Sequence, residues 1–280
     1  MIIDIHTHAF PRVIREQRDK FFDNEPAFEL LYKSPKSRLV GAADTVAMMD
    51  EQGVDKSVVF GFPWRNVDTF RLNNDYILEA VAGYPDRLIG FCCLDPMHPD
   101  AAGEVERCLQ AGLSGVGELA FYTSGIDERC LECLDPIMAL ARRFDVPVML
   151  HTNEPVGHQY PGKSPNTLIQ IYTLVKRFQN NRIILAHWGG GIFFYTLLKK
   201  EVREILTNVW FDTAASPYLY QPAVYQQAID LAGADKVLWG TDFPLLKPRR
   251  YFKEMNQAGL HDAEKRAICG ANALKLLNLV

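Results

Sequence analysis

Two histidines separated by one residue, His6 and His8, end the first strand-like stretch of the chain, which begins at Ile2. Successive side chains of a β-strand point to opposite faces, so residues two positions apart share one face. Two imidazoles on one face supply half of a metal site, although two histidines can also simply end a strand. The spacing leaves both interpretations open, and the rest of the chain has to decide between them.

Four more side chains that can bind a metal or carry a proton follow later strand-like stretches: Glu118, His151, His187 and Asp242. Each of them alone could be an ordinary polar residue at a strand end. Together with the histidine pair, they place four of the seven histidines and two acids at strand ends. Three histidines and one carboxylate are a typical ligand set for a catalytic divalent metal with one position open for water.

The elements that would position these residues alternate between two periodicities. Short apolar runs are typical of strands buried on both faces, and the longer segments between them have the spacing of amphipathic helices. Eight such units predict an α/β fold in which residues 1–280 form a single (β/α)8 or TIM barrel domain. The predicted strands are Ile2–His8, Val54–Gly61, Leu88–Leu94, Leu113–Ala120, Val146–His151, Arg182–His187, Val209–Thr213 and Lys236–Thr241.

A barrel of this kind carries its active site at the carboxyl ends of the strands, so the six candidates should meet at one rim. The alternative is an open, doubly wound sheet; the lack of a Gly-x-Gly-x-x-Gly motif after the first strand counts against its dinucleotide-binding form. A serine followed by a proline, Ser164-Pro165, predicts the start of one helix. Other predicted helices are Thr69–Tyr84, Ala101–Ala111, Leu131–Phe144 and a closing helix, Ala263–Leu279.

The segment between His8 and Ala42 is longer than most connections in a compact fold, and it gives no clear helical signal. Connections of this length are usually functional or disordered. This one contains aromatic residues, which need a packed environment. We therefore predict that residues 9–41 form a lid-like loop over the barrel mouth; its aromatic residues are Phe10, Phe21, Phe22, Phe28 and Tyr32.

Composition and charge exclude several classes of protein. The chain is 48% apolar and 23% charged, and its net charge of −4 comes without a basic run, so nucleic acid and anionic membranes are not expected partners. The sequence shows neither a signal-peptide pattern nor an apolar stretch long enough to span a bilayer, which predicts a cytoplasmic protein. The six cysteines do not form a disulfide pattern, and we expect Cys130 and Cys133 to be reduced within a helix.

The order of the strand-end residues resembles the amidohydrolase superfamily. The phrases around His6, His187 and Asp242, together with the closing segment from Ile268, are similar to its amidohydrolase-2 branch of metal-dependent hydrolases and decarboxylases. The resemblance implies His6, His8, His151 and Asp242 as metal ligands. It also implies one or two divalent ions, with zinc expected.

The resemblance leaves two roles open. The histidine at the position of His187 often binds a second metal or else polarises the substrate. Binuclear members usually carry a bridging lysine or glutamate on the fourth strand. Glu118 could bridge two metals in this way, or it could hydrogen-bond a metal ligand without contacting the metal itself.

Two reactions fit this site. A divalent ion brings the pKa of water down to about 7, so that hydroxide attacks an amide, ester or lactone of a small carboxylated substrate. Asp242 would then move the proton, and His187 would bind the scissile carbonyl. The alternative is non-oxidative decarboxylation of an aromatic or unsaturated acid, with Asp242 or His187 as the proton donor. Some decarboxylases in the family replace the first histidine of the pair, so the presence of His6 favours hydrolysis. A metal-binding barrel without turnover is less expected, because it would not need Asp242.

Residues in the loops beyond the strands are candidates for substrate contact. Trp64 could provide an aromatic wall and Arg65 a bidentate partner for a carboxylate, although Arg65 could also be a solvated loop cation. The loop after the fifth strand contributes Asn153, His158 and Tyr160. The resemblance adds one further expectation, a homodimer.

Overall fold

The structure is a computed structural model that describes residues 1–198 and 200–279. Within these residues, eight parallel strands lie inside the eight predicted stretches, and each is shorter than predicted. The strands are β1 (Ile3–His8), β2 (Lys56–Phe60), β3 (Leu88–Gly90), β4 (Val116–Leu119), β5 (Val148–Leu150), β6 (Ile183–Leu185), β7 (Val209–Asp212) and β8 (Val237–Leu238).

The strands form two sheets, one with the order β1-β2-β3 and the other with the order β4-β5-β6-β7-β8. Single parallel bridges join the sheets at both edges: Thr7 pairs with Phe243, and Cys92 pairs with Val116. The backbone N–H of Ile5 also donates to the carbonyl of Trp239 at 3.0 Å. This strand order confirms the predicted (β/α)8 architecture, in which the first and last strands are neighbours.

The strand residues divide between two apolar clusters with the two-residue period of a strand. Val58 and Phe60 belong to the smaller cluster, whereas Val59 belongs to the larger one. Met149 and Ile184 join the smaller cluster as well. Both faces of the strands are therefore buried, which explains why they read as nearly continuous apolar runs.

Helices alternate with the strands and cover them. Near β8 and the chain's end, a π-helical segment, Ala267–Ala271, replaces part of the predicted closing helix. The α-helices are α1 (Arg12–Glu16), α2 (Pro26–Tyr32), α3 (Ala42–Gln52), α4 (Val67–Gly83), α5 (Ala101–Gln110), α6 (Glu128–Arg143), α7 (Leu168–Arg177), α8 (Lys200–Ile205), α9 (Ser216–Leu219), α10 (Val224–Ala232), α11 (Pro248–Gln257), α12 (Asp262–Arg266) and α13 (Asn272–Leu276). In the described part of the chain, 3-10 segments lie at Arg18–Phe21, His187–Leu197, Leu206–Asn208 and Ala234–Lys236.

The predicted start of α7 at Ser164 and Pro165 is wrong. The helix begins at Leu168 because Thr167 caps it: the hydroxyl of Thr167 accepts the backbone N–H of Gln170 at 3.2 Å. The side-chain oxygen of Gln170 in turn accepts the backbone N–H of Thr167 at 2.9 Å. This reciprocal pair satisfies two backbone donors, whereas the N–H and the hydroxyl of Ser164 both donate to Asn153.

Residues 9–41, called the lid below, contain two helices that the sequence did not reveal. α1 and α2 have five and seven residues, too few for a periodic apolar pattern to stand out. The aromatic side chains of the lid are packed, as expected. The ring centroids of Phe28 and Trp64 are 4.2 Å apart, and Phe10 is fully buried. The lid is therefore a packed, partly helical cover.

Two other features bear on the sequence analysis. Cys130 and Cys133 are free and lie in α6, as expected; Cys130 is buried, whereas Cys133 is only partly buried. Among the residues that the structure describes, none of the helices combines the length and apolar character needed to cross a bilayer.

Candidate metal centre and active site

β1 presents its two histidines to one place, as the strand period predicts. The ring centroids of His6 and His8 are 5.3 Å apart, and the ring of His6 is fully buried. Nε2 of His8 lies 3.3 Å from Oδ1 of Asp242, and Nε2 of His6 lies 3.8 Å from the same atom. The first and last strands of the barrel therefore contribute to one cluster.

The ends of β4, β5 and β6 bring three more side chains to this cluster. Oε1 of Glu118 lies 3.0 Å from Nδ1 of His151 and 3.4 Å from Nε2 of His187. Oε2 of Glu118 lies 3.6 Å from Nε2 of His6. The structure thus brings together all six predicted metal-site residues. Three overlapping groups have ligand atoms within 4.8 Å of one another: His6, His8 and Glu118; His6, His187 and Asp242; Glu118, His151 and His187.

Three of the histidines are oriented by hydrogen bonds from their outward ring nitrogens. Nδ1 of His8 lies 2.9 Å from the carbonyl oxygen of Gly61, and Nδ1 of His187 lies 2.9 Å from that of Ala214. Nδ1 of His6 lies 2.9 Å from a carboxylate oxygen. A proton on Nδ1 leaves Nε2 of each ring with a lone pair directed at the cluster, as in histidines that ligate metals.

One buried nitrogen lacks any partner of this kind. Nε2 of His6 is shielded from solvent and has no hydrogen-bond partner within residues 1–198 and 200–279. A buried polar atom without a partner is costly, so this nitrogen is placed for a group that the protein itself does not supply. The imidazole and carboxylate donors around it suit a divalent cation.

His151 is oriented differently from the other three. Its Nδ1 faces Glu118, and its Nε2 lies 2.9 Å from the carbonyl oxygen of Gly162. The ring therefore approaches the cluster through Nδ1, while Nε2 is tied to the loop after β5. Its role as a metal ligand stays a prediction that rests on the resemblance.

A buried acid on β7, Asp212, escaped the sequence analysis. One oxygen of Asp212 lies 2.9 Å from Nδ1 of His6, and the other accepts the backbone N–H groups of His187 and Ala214. Asp212 thus orients one histidine by its ring and another by its backbone. The strand-end rule that found Glu118 could have found it, because Asp212 is the last residue of β7.

A second missed acid, Asp4, joins β1 to the chain after β8. Its carboxylate accepts the hydroxyl of Thr241 at 2.5 Å and the backbone N–H of Thr241 at 3.0 Å. Burial raises the pKa of Asp4 to about 7, although these hydrogen bonds act in the opposite direction. Asp4 therefore fixes the barrel seam, the junction between β1 and the residues after β8, next to His6 and Asp242.

The cluster carries an excess of fixed negative charge. Burial disfavours a charge on His6, but Glu118 and Asp212 outweigh it and raise the pKa of His6 to about 10. Burial also disfavours a charge on His187, yet the hydrogen bond and charge of Glu118 raise its pKa to about 9. Three carboxylates, the third being Asp242, thus require positive charge, which protons or a bound divalent cation can supply.

A cavity of about 790 Å³ adjoins the cluster, with walls that come from the lid and from the loops after the strands. Five of the six metal-site candidates line it, and the lid contributes Tyr32 among other residues. The lid residues were not predicted as wall residues, because no sequence pattern tells where a loop will pack. Apolar and aromatic side chains in the wall include Leu30, Leu31, Tyr32, Phe62, Tyr122, Val156, Leu219 and Leu245.

Three of the predicted substrate contacts lie outside the residues that line the cavity. Trp64 is fully buried beneath the lid, and its indole N–H donates to Asn73 at 3.0 Å. Arg65 is half exposed and faces Asp95 at 3.6 Å. The side-chain oxygen of Asn153 accepts two hydrogen bonds from Ser164, and so braces its own loop.

These side chains are instead paired with Asn73 on α4, Asp95 after β3 and Ser164 in the loop after β5. His158 and Tyr160, from the same loop as Asn153, do line the cavity as predicted. Their contact with a substrate stays a prediction.

Residues 3–279 match the family model described as Amidohydrolase. The chain belongs to the amidohydrolase family. This membership confirms the resemblance to the amidohydrolase-2 branch that the strand-end residues carry, and it makes the chain a member of an enzyme superfamily.

Several relatives and solved structures similar to this chain are decarboxylases. Gamma-resorcylate decarboxylases from Polaromonas sp. (strain JS666 / ATCC BAA-500) and Rhodococcus jostii (strain RHA1) are each 24% identical to this chain, over 87% of it and 90% of their own length. The solved structure of 5-carboxyvanillate decarboxylase from Sphingomonas paucimobilis has a TM-score of 0.76 at 18% identity and covers 99% of this chain and 98% of its own. That of 2,6-dihydroxybenzoate decarboxylase from Rhizobium has a TM-score of 0.73 at 21% identity, with the same coverage.

The expectation of a hydrolase is wrong. The relatives named above are decarboxylases, which break a carbon–carbon bond instead of adding water to a carbonyl. The argument that His6 favours hydrolysis fails with it, because the ligand set alone does not choose between the two reactions.

Proposed function

We propose that this amidohydrolase-family protein is a non-oxidative decarboxylase of a small aromatic or unsaturated carboxylic acid. The observation that carries the proposal is the likeness to decarboxylases over 87% of the chain, in a protein whose histidines and acids meet beside one apolar cavity. We further propose that residues 1–280 act as one catalytic domain. The pairing of Thr7 with Phe243, from opposite ends of the chain, supports this.

The residues of the cluster fit a divalent cation, and the proposed ligands are His6, His8, His151 and Asp242, with Glu118 and His187 beside them. A bound divalent cation would neutralise and orient the carboxylate of the substrate. The sequence led us to expect zinc. Neighbouring structures from Polaromonas sp. JS666 and Novosphingobium aromaticivorans are described with bound manganese, and a set of imidazoles and carboxylates without thiolates suits manganese as well. We therefore propose manganese or zinc, as one ion or two.

Decarboxylation needs a proton in place of the lost carboxylate. The carbon–carbon bond breaks, carbon dioxide leaves, and the electron pair that stays on carbon takes the proton. We propose Asp242 as the group that delivers it, with His187 as the alternative. Asp242 lies at the end of the barrel seam, where His8 contacts its Oδ1, and it lines the cavity.

The contacts of these residues direct His187 at the cluster and keep Asp242 ionised. The ring of His187 is held through Nδ1 by Ala214, which leaves Nε2 facing the cluster. Burial acts to raise the pKa of Asp242, but the hydrogen bond from His8 and the charge on His6 outweigh it and lower the pKa to about 2. Asp242 is thus a carboxylate in the resting protein and must first take up from water the proton that it delivers.

The walls of the cavity are suited to a flat, apolar ring. Phe62 and Tyr122 stack with an interplanar angle of 7°, and Tyr122 lies 5.0 Å from His151 between ring centroids. Tyr32 reaches the same cavity from the lid. Aromatic faces beside the cluster bury the ring of a substrate while the polar groups bind its carboxylate.

The test is carbon dioxide release from a panel of aromatic and unsaturated acids by protein loaded with manganese or with zinc. Release should depend on the metal and should match the amount of decarboxylated product found by chromatography. Protein stripped by a chelator and then reloaded is the matched control. If metal-loaded protein releases no carbon dioxide from any acid of the panel, the proposed function is wrong.

A further inference from the structure

The segment that follows α2, residues 33–38, is held in place by a single guanidinium. Nη1 of Arg18 donates to three backbone carbonyls, those of Tyr32 at 3.1 Å, Ser34 at 3.4 Å and Ser37 at 2.8 Å. Two of these distances are those of normal hydrogen bonds, and the third is at the long end. One cation that ties several carbonyls together fixes the course of this segment, called the basic loop below.

The basic loop faces the same cavity as the metal cluster. Ser34, Lys36, Ser37 and Arg38 all line its wall, so two hydroxyls and two cationic side chains stand on the lid side. The cluster of histidines and acids lies on the barrel side. A ligand that fills the cavity can therefore touch both the cluster and the basic loop.

Most cations of the lid already have a partner, which sets Lys36 and Arg38 apart. Of the seven lysines and arginines in residues 9–41, Arg18 binds carbonyls and three form ion pairs. Within the described part of the chain, Lys20, Lys36 and Arg38 form no ion pair, and of these three only Lys36 and Arg38 line the cavity. The ion pairs are Arg12 with Glu16, Arg15 with Asp44, and Lys33 with Glu29.

The acids of the cavity wall do not compensate these two cations. Glu118 and Asp242 belong to the metal cluster. Glu154 is already neutralised, because one of its oxygens accepts the ammonium of Lys163 at 3.0 Å and the other accepts the hydroxyl of Tyr160 at 2.8 Å. Lys163 and Glu154 are also largely buried, with 6% and 16% of their side chains exposed. The lid side of the cavity thus keeps an unbalanced positive charge.

We infer that Lys36 and Arg38 form an anion subsite, and that the substrate carries a second acidic group apart from the carboxylate that it loses. This inference rests on the proposed function, since it assigns one carboxylate to the metal cluster. Between the two polar ends the wall is apolar, with Leu30, Leu31 and Phe62. The substrate class is therefore an aromatic or unsaturated dicarboxylic acid whose apolar body separates its two anionic groups.

A kinetic comparison tests the subsite with two acids that differ by one carboxylate. Manganese-loaded protein is assayed with salicylate and with 4-hydroxyisophthalate, which is salicylate with a second carboxylate. Wild type should have the lower KM for the diacid. In the double variant Lys36→Ala and Arg38→Ala, the ratio of the diacid KM to the salicylate KM should rise about tenfold. Lys20→Ala, which removes a lid cation outside the cavity wall, should keep the wild-type ratio.

A binding experiment separates this inference from the proposed function. Isophthalate and benzoate lack the phenolic hydroxyl that activates a ring for protonation, so their affinities can be measured by calorimetry without turnover. Wild type should bind isophthalate more tightly than benzoate, and the double variant should lose this preference. If that result holds while neither phenolic acid releases carbon dioxide, the subsite stands and decarboxylation fails. If both phenolic acids are decarboxylated but the double variant keeps the wild-type KM ratio, or if wild type binds isophthalate no more tightly than benzoate, the subsite is overturned.

Discussion

A carboxylate oxygen of Asp212 lies 2.9 Å from Nδ1 of His6, in a place where both side chains are fully buried. The other oxygen of Asp212 accepts two backbone N–H groups, so the carboxylate itself is held rigidly. This contact fixes the proton of His6 on Nδ1 and directs Nε2 at the cluster. An acid at the end of β7 thus prepares a ligand at the end of β1.

Replacing Asp212 by asparagine should weaken metal binding about 10- to 100-fold. The amide group that faces His6 would donate rather than accept, which moves the proton of His6 to Nε2 and blocks the lone pair. The measurement is the metal content after dialysis against a graded series of chelator concentrations. Asp230→Asn changes an exposed acid on α10 and should retain wild-type affinity. Equal retention of metal by both variants would contradict the orienting role of Asp212.

Replacing Asp242 by asparagine should remove most of the decarboxylase activity, by about 10²- to 10⁴-fold in kcat, because an amide cannot deliver a proton. The fold should persist, since asparagine has nearly the same shape. Carbon dioxide release is compared at equal metal content, with circular dichroism as the check on folding. His187→Asn is measured beside it. Full activity of the Asp242→Asn protein would show that His187 or water, and not Asp242, donates the proton.

Glu25 should make stability depend on pH near neutrality. Its carboxylate accepts the backbone N–H groups of Arg65 and Asn66, both at 2.8 Å. Burial raises the pKa of Glu25 from 4.5 to about 7; these hydrogen bonds and the charge of Arg65 act against burial, and Asp95 adds to it. Between these two pKa values the folded protein binds a proton that the unfolded chain lacks. The free energy of unfolding should therefore fall by about 1–2 kcal/mol as pH rises from about 5 to 8.

Glu25→Gln is the variant that tests this dependence. Glutamine keeps the accepting oxygen but does not titrate, so the contribution to the pH slope should disappear. Urea unfolding across a pH series gives the slope for wild type and variant, with Glu29→Gln, a half-exposed acid on α2 that pairs with Lys33, as the control. An unchanged slope in Glu25→Gln would show that the carboxyl titrates as in the unfolded chain.

Trp64→Phe distinguishes a packing role from substrate contact. Phenylalanine keeps most of the apolar packing against Phe28 but leaves Asn73 without the indole N–H, which should cost about 1–3 kcal/mol of stability. KM for the acid that the protein decarboxylates should change less than about twofold, because the indole lies outside the cavity wall. A large rise in KM with unchanged stability would restore the substrate contact that the sequence suggested.

The sequence was sufficient for the cluster of histidines and acids. His6 and His8 share a face because a strand has a period of two, and the ends of parallel strands meet at one rim. Five of the predicted strands therefore brought six side chains together without any knowledge of packing. Asp212 obeys the same rule at the end of β7. It was missed because nothing in the sequence around it marks this aspartate as part of the cluster.

Only the tertiary structure decided what surrounds that cluster. Trp64 lies in the core and Lys36 lines the cavity because the lid packs over the loop after β2. No local sequence pattern encodes where two loops meet. The choice between hydrolysis and decarboxylation also lay outside the motif, since the same ligands serve either reaction. Strand periodicity is local and can be read from the chain, whereas the walls of a cavity depend on contacts between segments that are distant in sequence.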